Sequence, residues 1–326
     1  MKNWLVFVIA LIFAFSFSDS TTAQEWQWKW GKHAGSAHGT PESLFMNCTD
    51  LRNTYYGQIP YTEKIYFQDT SLIHGAGTSN YAFLKYDSTG KFYPPLDLWT
   101  SQNQLLNNPM IVADKGLNLY VGGTYALGFQ VQDTLFLPGP GVSYLHPEIF
   151  LFKTTNDYDI VWGKIISGTL QDDLTGLIPA ENGDLILSTH HMCDSQNPTT
   201  VNFFNQDTVF SARIPFSSIL KVNQDGIIQW KKDIIGNIHQ LQLTEGKNGL
   251  IYYTGYSGDN IAIGADTLKY PWGTDDMFAN FILSFDQEGE LMESKYLNPH
   301  LRFYYFQVDV TGNKYISGWF GGSVSR

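Results

Sequence analysis

The chain has 326 residues, of which 43% are hydrophobic and only 16% charged, with a formal net charge of −11 at pH 7. An acidic surface repels phosphate backbones and anionic lipid headgroups, which argues against nucleic acid as a partner and against binding to an anionic membrane surface. Aromatic residues make up 15% of the chain beside 30 Gly and 13 Pro, a composition suited to short strands and tight turns rather than helices.

At the N-terminus, Met1-Lys2-Asn3 carries one positive charge, and Trp4 to Phe17 is an apolar run of 14 residues. Small and polar residues from Ser18 to Thr22 then lead to Ala23. This order predicts a secretory signal peptide over residues 1–23, cleaved after Ala23. The rival is a membrane-spanning helix, which needs roughly 20 apolar residues to cross the hydrocarbon. No Cys follows the cleavage point directly, so no lipid anchor is expected at the first mature residue. The expected product is a secreted protein of 326 − 23 = 303 residues with no membrane span. Its destination would be the periplasm, the cell surface or the medium.

Downstream, four markers recur in fixed order. A short apolar strand running into a polar turn reads FLKYDSTG from Phe83, LFKTTNDY from Leu151, ILKVNQDG from Ile219 and ILSFDQEG from Ile282. Aligning Lys85, Lys153, Lys221 and Ser284 gives spacings of 68, 68 and 63 residues. Trp162 and Trp230 each lie nine residues beyond the aligned Lys, and Trp30-Gly31-Lys32 opens the mature chain with the same phrase. A third strand follows a turn glycine at Gly116, Gly183, Gly249 and Gly312, with a degenerate copy at Leu51 to Gly57. The fourth marker is Asp-Thr, at Asp69, Asp133, Asp207 and Asp266.

A period of about 65 residues with four short strands predicts an all-β fold, a β-propeller of four-stranded antiparallel blades. About 4.5–5 blades are expected within residues 24–326. A β-solenoid is the rival, but its repeats are shorter, near 20 to 30 residues. The count gives five copies of the strand after the turn glycine and four of the Phe-Leu-Lys strand. One strand is therefore wanting for a standard ring, and an incomplete ring or a longer chain is expected.

These motifs resemble the β-propeller repeat proteins secreted by Bacteroidetes-type bacteria, related to the repeat named for seven-bladed propellers. Thr311-Gly312-Asn313-Lys314-Tyr315-Ile316-Ser317-Gly318-Trp319-Phe320 is similar to that family's turn-and-strand segment, with Lys314 where Ile is usual. Ile263-Gly264-Ala265-Asp266-Thr267-Leu268 and the stretch from Leu220 to Trp230 are similar to its two other segments, with Asn223 in place of Asp. The resemblance covers residues 26–326 and speaks to architecture more than to function. The leading expectation is a non-enzymatic extracellular module that binds a protein or glycan, or forms part of a surface assembly. The alternative is a carbohydrate-active hydrolase or lyase, whose carboxylates would come from distant loops in a central funnel.

No catalytic, cofactor or metal residue is assigned. His190-His191-Met192-Cys193 brings together metal-binding residue types, yet strand neighbours point to opposite faces, so a strand end running into a loop is expected there. Cys48 and Cys193 stand two repeats apart and are expected to remain separate thiols. Asn47-Cys48-Thr49 fits the N-glycosylation pattern without implying its use in a bacterial protein. Asp133, Asp207 and Asp266, in Asp-Thr pairs, resemble a short O-glycosylation motif but are expected as turn residues. Calcium takes six to eight oxygen ligands, and neither Asp172-Asp173 nor Asp275-Asp276 sits in an Asp-x-Asp-x-Asp ladder, so solvated loop charge is the expectation for both. Neither a Gly-x-Ser-x-Gly elbow nor a His-Glu-x-x-His helix is present, and the Asp-rich box of sialidase propellers is absent as well.

Overall fold

The computed structural model describes residues 34–36, 54–61, 64–67, 70–73, 80–87, 89–99, 105–116, 118–126, 128–131, 134–136, 147–180, 182–193, 199–204, 206–210, 214–246, 248–271, 278–297 and 301–320. Every regular element among them is a β-strand, and every strand pairing is antiparallel. The expected signal segment, Cys48 and the Asp275-Asp276 pair lie outside the described residues. No helix among the described residues is long and apolar enough to cross a membrane. The chain divides into two compact units, Met1–Leu106 with Leu127–Leu137, and Asn107–Ala126 with Pro138–Arg326.

In the first unit, β1 (Ala34–Ser36) pairs with β3 (Lys64–Phe67), which pairs with β4 (Thr70–Ile73). A second sheet runs β10 (Thr134–Phe136), β9 (Phe129–Val131), β6 (Phe92–Trp99), β5 (Asn80–Asp87), β2 (Thr54–Tyr61). Ile59, Tyr61, Ala82, Leu84 and Tyr86 of this sheet form a buried cluster with Ile65 of β3.

The second unit takes in all but the first two residues of β7 (Leu105–Ala113), then β8 (Leu119–Ala126), β11 (Glu148–Thr154) and β12 (Ile160–Gly168). To the outer edge of β12 is added the hairpin β15 (Thr199–Phe203) and β16 (Gln206–Phe210). The next sheet repeats this order with β13 (Asp172–Pro179), β14 (Leu185–His191), β17 (Phe216–Val222) and β18 (Ile228–Ile235), followed by the hairpin β21 (Ile261–Ile263) and β22 (Asp266–Leu268). A four-stranded sheet follows, β19 (Ile238–Glu245), β20 (Ile251–Ser257), β23 (Ala279–Phe285) and β24 (Leu291–Tyr296), and then the pair β25 (Leu301–Val308) and β26 (Lys314–Phe320).

Four-stranded sheets were expected, and two of these sheets have six strands. The excess is the hairpin that carries the Asp-Thr marker. It arises between the second and third strands of one repeat but pairs with the Trp strand of the repeat before. Its register is conserved: Ile166 pairs with Phe203 four residues after Trp162, and Ala34 pairs with Phe67 four residues after Trp30. The turn before the second strand also shows a shift. Asp114, Ala180, Gly246 and Asp309 close equivalent turns onto Asn118, Asp184, Leu250 and Asn313. Gly116 therefore sits one position earlier in its turn than Gly183, Gly249 and Gly312, which all have positive φ.

Packing follows from strand alternation. β11, β17 and β23 are buried at every residue, so both faces of these sheets are covered. Leu185, Leu187, Leu220 and Val222 point to Tyr120, Leu151, Ile166 and Phe203 of the preceding sheet. Ile186 and Ile219 point the other way, to Leu243, Tyr253, Phe281 and Leu283 of the following sheet. Tyr252 and Ile282 continue the series against Phe306 and Val308 of β25.

A repeated clasp locks these layers. Lys153 Nζ and Trp162 Nε1 both donate to the Gln224 carbonyl, at 3.2 and 2.8 Å. One repeat later, Lys221 Nζ and Trp230 Nε1 donate to the Gln287 carbonyl at 3.1 and 2.9 Å. Gln224 and Gln287 belong to turns whose first residue, Asn223 or Asp286, accepts two backbone N–H bonds with its side chain. Those turns need a left-handed residue, supplied by Gly226 and Gly289. The absence of a Cβ there also lets the indole lie close. A Cβ on Gly226 would stand 3.1 Å from Trp162, and one on Gly289 would stand 2.8 Å from Trp230.

Candidate functional site

β13 and β19 begin at the same end of their sheets at which β14 and β20 finish, and this end brings Asp172, Asp173, His190 and His191 together on one sheet and His239 and Tyr256 on the next. Asp172 and Asp173 open β13, opposite His191 and His190. Solvated loop charge was the expectation for this acidic pair; instead the two residues lie on a strand and face opposite ways.

Asp172 is only 1% exposed and His191 is fully buried. His191 Nδ1 donates to Asp172 Oδ1 at 2.6 Å, because a carboxylate has no proton to offer, and Nε2 lies 2.7 Å from Thr189 Oγ1. Phe216 stacks on the imidazole at 4.7 Å and Phe203 meets it edge-on at 5.4 Å. A Cβ on Gly168 would stand 2.7 Å from both Asp172 oxygens, so the close approach of that backbone depends on glycine. The order acid, imidazole, hydroxyl is that of a nucleophilic relay. Thr189 and His191 are, however, sealed from solvent, and a nucleophile must meet its substrate. The relay ties the start of β13 to the end of β14.

His190 faces the other way, with Nδ1 3.2 Å from Ser217 Oγ. Burial, reinforced by His191 and His239, lowers its pKa to about 4. Asp173 accepts from Gln171 Nε2 at 2.9 Å, and burial raises its pKa above the usual carboxylate value. Beneath them, Tyr253 is fully buried, its hydroxyl near Ser217 and Thr175 without closing a hydrogen bond of ordinary geometry. Burial raises the Tyr253 pKa too. Thr175 and Ser188 share a hydrogen bond of 2.8 Å.

On the next sheet, His239 pairs directly across from Tyr256. Its exposed imidazole lies 5.3 Å from the Tyr256 ring and 5.8 Å from Phe278, and those two rings meet edge to face at 5.4 Å. Asn237 Oδ1 orients the imidazole through Nε2 at 2.9 Å. The result is a half-open aromatic platform beside hydrogen-bonding side chains from the neighbouring sheet.

Of the residues weighed in the sequence, His190 and His191 diverge to opposite faces, and β14 ends at His191 as a strand end running into a loop. Met192 is exposed, and Cys193 is half-buried against the cluster around Phe203 and Phe216. Among the described residues no three His, Cys, Asp or Glu side chains converge in the manner of a metal site. Asp266-Thr267 is exposed on β22, within the hairpin rather than in a simple turn. Sequence reasoning missed His239, Tyr256 and Phe278 because each stands alone in the sequence. Their meeting depends on the β19–β20 register and its bulge.

No protein-family model and no curated protein matches the chain. A solved structure of a protein of unknown function from Bacteroides caccae is similar at a TM-score of 0.21 and 9% identity, over 66% of this chain and 90% of that one, a likeness too slight to carry an argument.

Proposed function

We propose that the protein is a secreted, repeat-built β-propeller that acts as a non-enzymatic binding module, with its ligand surface at the strand ends around His190 and His239. The propeller reading is supported by successive sheets of the second unit that repeat one strand order and pack face to face in chain order. The observation that carries the binding reading is the exposed His239 imidazole set among Tyr256 and Phe278, within electrostatic reach of His190, whose cross-strand neighbour is Asp173. Aromatic faces bordered by a few oriented polar groups form a common recognition chemistry. Of the two ligand classes expected, a glycan fits better. A sugar offers an apolar face for the rings and hydroxyls for imidazole, carboxamide and carboxylate.

The test is a glycan array probed with the intact secreted protein, followed by titration of any hit. His239→Ala and Tyr256→Ala are each expected to weaken binding about 10-fold or more, equivalent to about 1.4 kcal/mol. Glycan binding unaffected by either substitution would place the site elsewhere.

A further inference from the structure

His190 differs from its strand neighbours: it is half-buried, whereas the other six residues of β14 are buried. Ser217 of β17 pairs directly across from it, and Ser217 Oγ lies 3.2 Å from the imidazole Nδ1. Its Nε2 has no hydrogen-bond partner among the described residues and is not sealed from solvent. Ser217 is itself fully buried, beside the Tyr253 hydroxyl of β20. One ring nitrogen is thus held inside the protein while the other is open.

Packing brings this open nitrogen and the aromatic platform to one surface. β13 and β19 lie so close that a Cβ on Gly176 would stand 2.4 Å from Leu243 Cβ. Asp173 comes three residues before Gly176, and His239 four residues before Leu243. Asp173, the cross-strand neighbour of His190, and His239 therefore begin adjacent strands at the same end.

Charge then limits what Nε2 can meet. The charged groups that act on His190 are His191 and His239, and those that act on Asp173 are Asp172 and His191. None of them is a Lys or Arg. Burial, reinforced by the two imidazoles, keeps His190 neutral until the pH falls to about 4. An anionic sugar would bring its charge to a carboxylate and a neutral ring, on a chain of net charge −11. A hydroxyl is both donor and acceptor, so it can pair with Nε2 in either tautomer of the neutral ring.

On the glycan-binding reading given above, on which this role depends, we infer that His190 sets the specificity of the surface for neutral sugars, with Nδ1 held by Ser217 and Nε2 bonded to a sugar hydroxyl.

Calorimetric titration of the intact protein at neutral pH tests the selectivity. The probes are neutral oligosaccharides of glucose, galactose and mannose, and sulfated forms of the same oligosaccharides. At least one neutral oligosaccharide is expected to bind, and to do so about 10-fold or more tightly than its sulfated form. His190→Leu should weaken that binding about 10-fold or more, and His190→Gln, which restores a hydrogen-bonding group, should recover most of it. In the sugar-free protein, NMR of the imidazole nitrogens, assigned by comparison with His190→Gln, should show His190 uncharged at about pH 5.5, where an ordinary histidine is mostly protonated. A sulfated form bound as tightly as its neutral parent, or a His190 that protonates like an ordinary histidine, would overturn the proposal. Binding lost in His239→Ala but kept in His190→Leu would overturn it too and leave the glycan-binding reading standing. No binding by either series would defeat both.

Discussion

At the residue scale, the repeat is held by a few side chains whose roles are the same 68 residues apart. Trp162 and Trp230 each carry one donor, and each aims it at the carbonyl of a turn glutamine in the following sheet. Replacing either by Phe removes that donor and keeps most of the ring. The expected cost is about 1–2 kcal/mol for each, read by urea unfolding. The two clasps lie in different interfaces, so the double variant should cost the sum to within about 0.5 kcal/mol. The turn glycines have a telling exception in Tyr158, which holds φ at 71° where Gly90, Gly226 and Gly289 stand in the other repeats. A left-handed non-glycine residue costs roughly 1–2 kcal/mol, so this turn is strained where the other three are relaxed. The equivalence of the Trp and Lys positions was legible in the sequence because residue type and spacing both recur; the clasp was not, because its acceptor is a backbone carbonyl that residue type does not mark. The Asp172–His191 pair was not, because nothing local distinguishes an acid that bonds 19 residues away from one in a solvated loop.

At the element scale, the four strands read from the sequence are present, and the hairpin bearing Asp-Thr is the addition. Its strands are three to five residues long and alternate, a signal that was visible as IAIGADTL but read as a turn marker. What no local pattern could show is that the hairpin leaves its own repeat to extend the sheet before it. That choice is made by burial. Ile261 and Ile263 are 0% and 4% exposed and join Ile234 in the core cluster shared by two sheets. Although β21 lies on a short outer strand pair, Ile261→Ala is expected to cost about 2–5 kcal/mol, as a core truncation does. Thr267→Ala, at an exposed position of the same hairpin, should fall within about 0.5 kcal/mol of the wild type. Thermal unfolding of the two variants side by side separates a hairpin that is part of the core from one that merely decorates an edge.

At the scale of the whole molecule, the account rests on the sheets of the second unit being arranged radially, as proposed for a propeller, and not as a linear stack. The all-β character and the order of the layers followed from the period and the alternation of apolar residues. Closure did not, because it depends on the small rotation between neighbouring sheets, which no residue pattern records. Paired spin labels measure that rotation directly. With Cys48 and Cys193 replaced by Ala, one pair is placed on inner strands two sheets apart, at Thr175 of β13 and Gln307 of β25. A second pair is placed on outer strands two sheets apart, at the exposed Val161 of β12 and Met292 of β24. Pulsed electron-resonance distances should then be clearly shorter for the Thr175–Gln307 pair than for Val161–Met292, since inner strands converge on an axis from which outer strands diverge. Equal distances for the two pairs would describe parallel layers and would contradict the propeller.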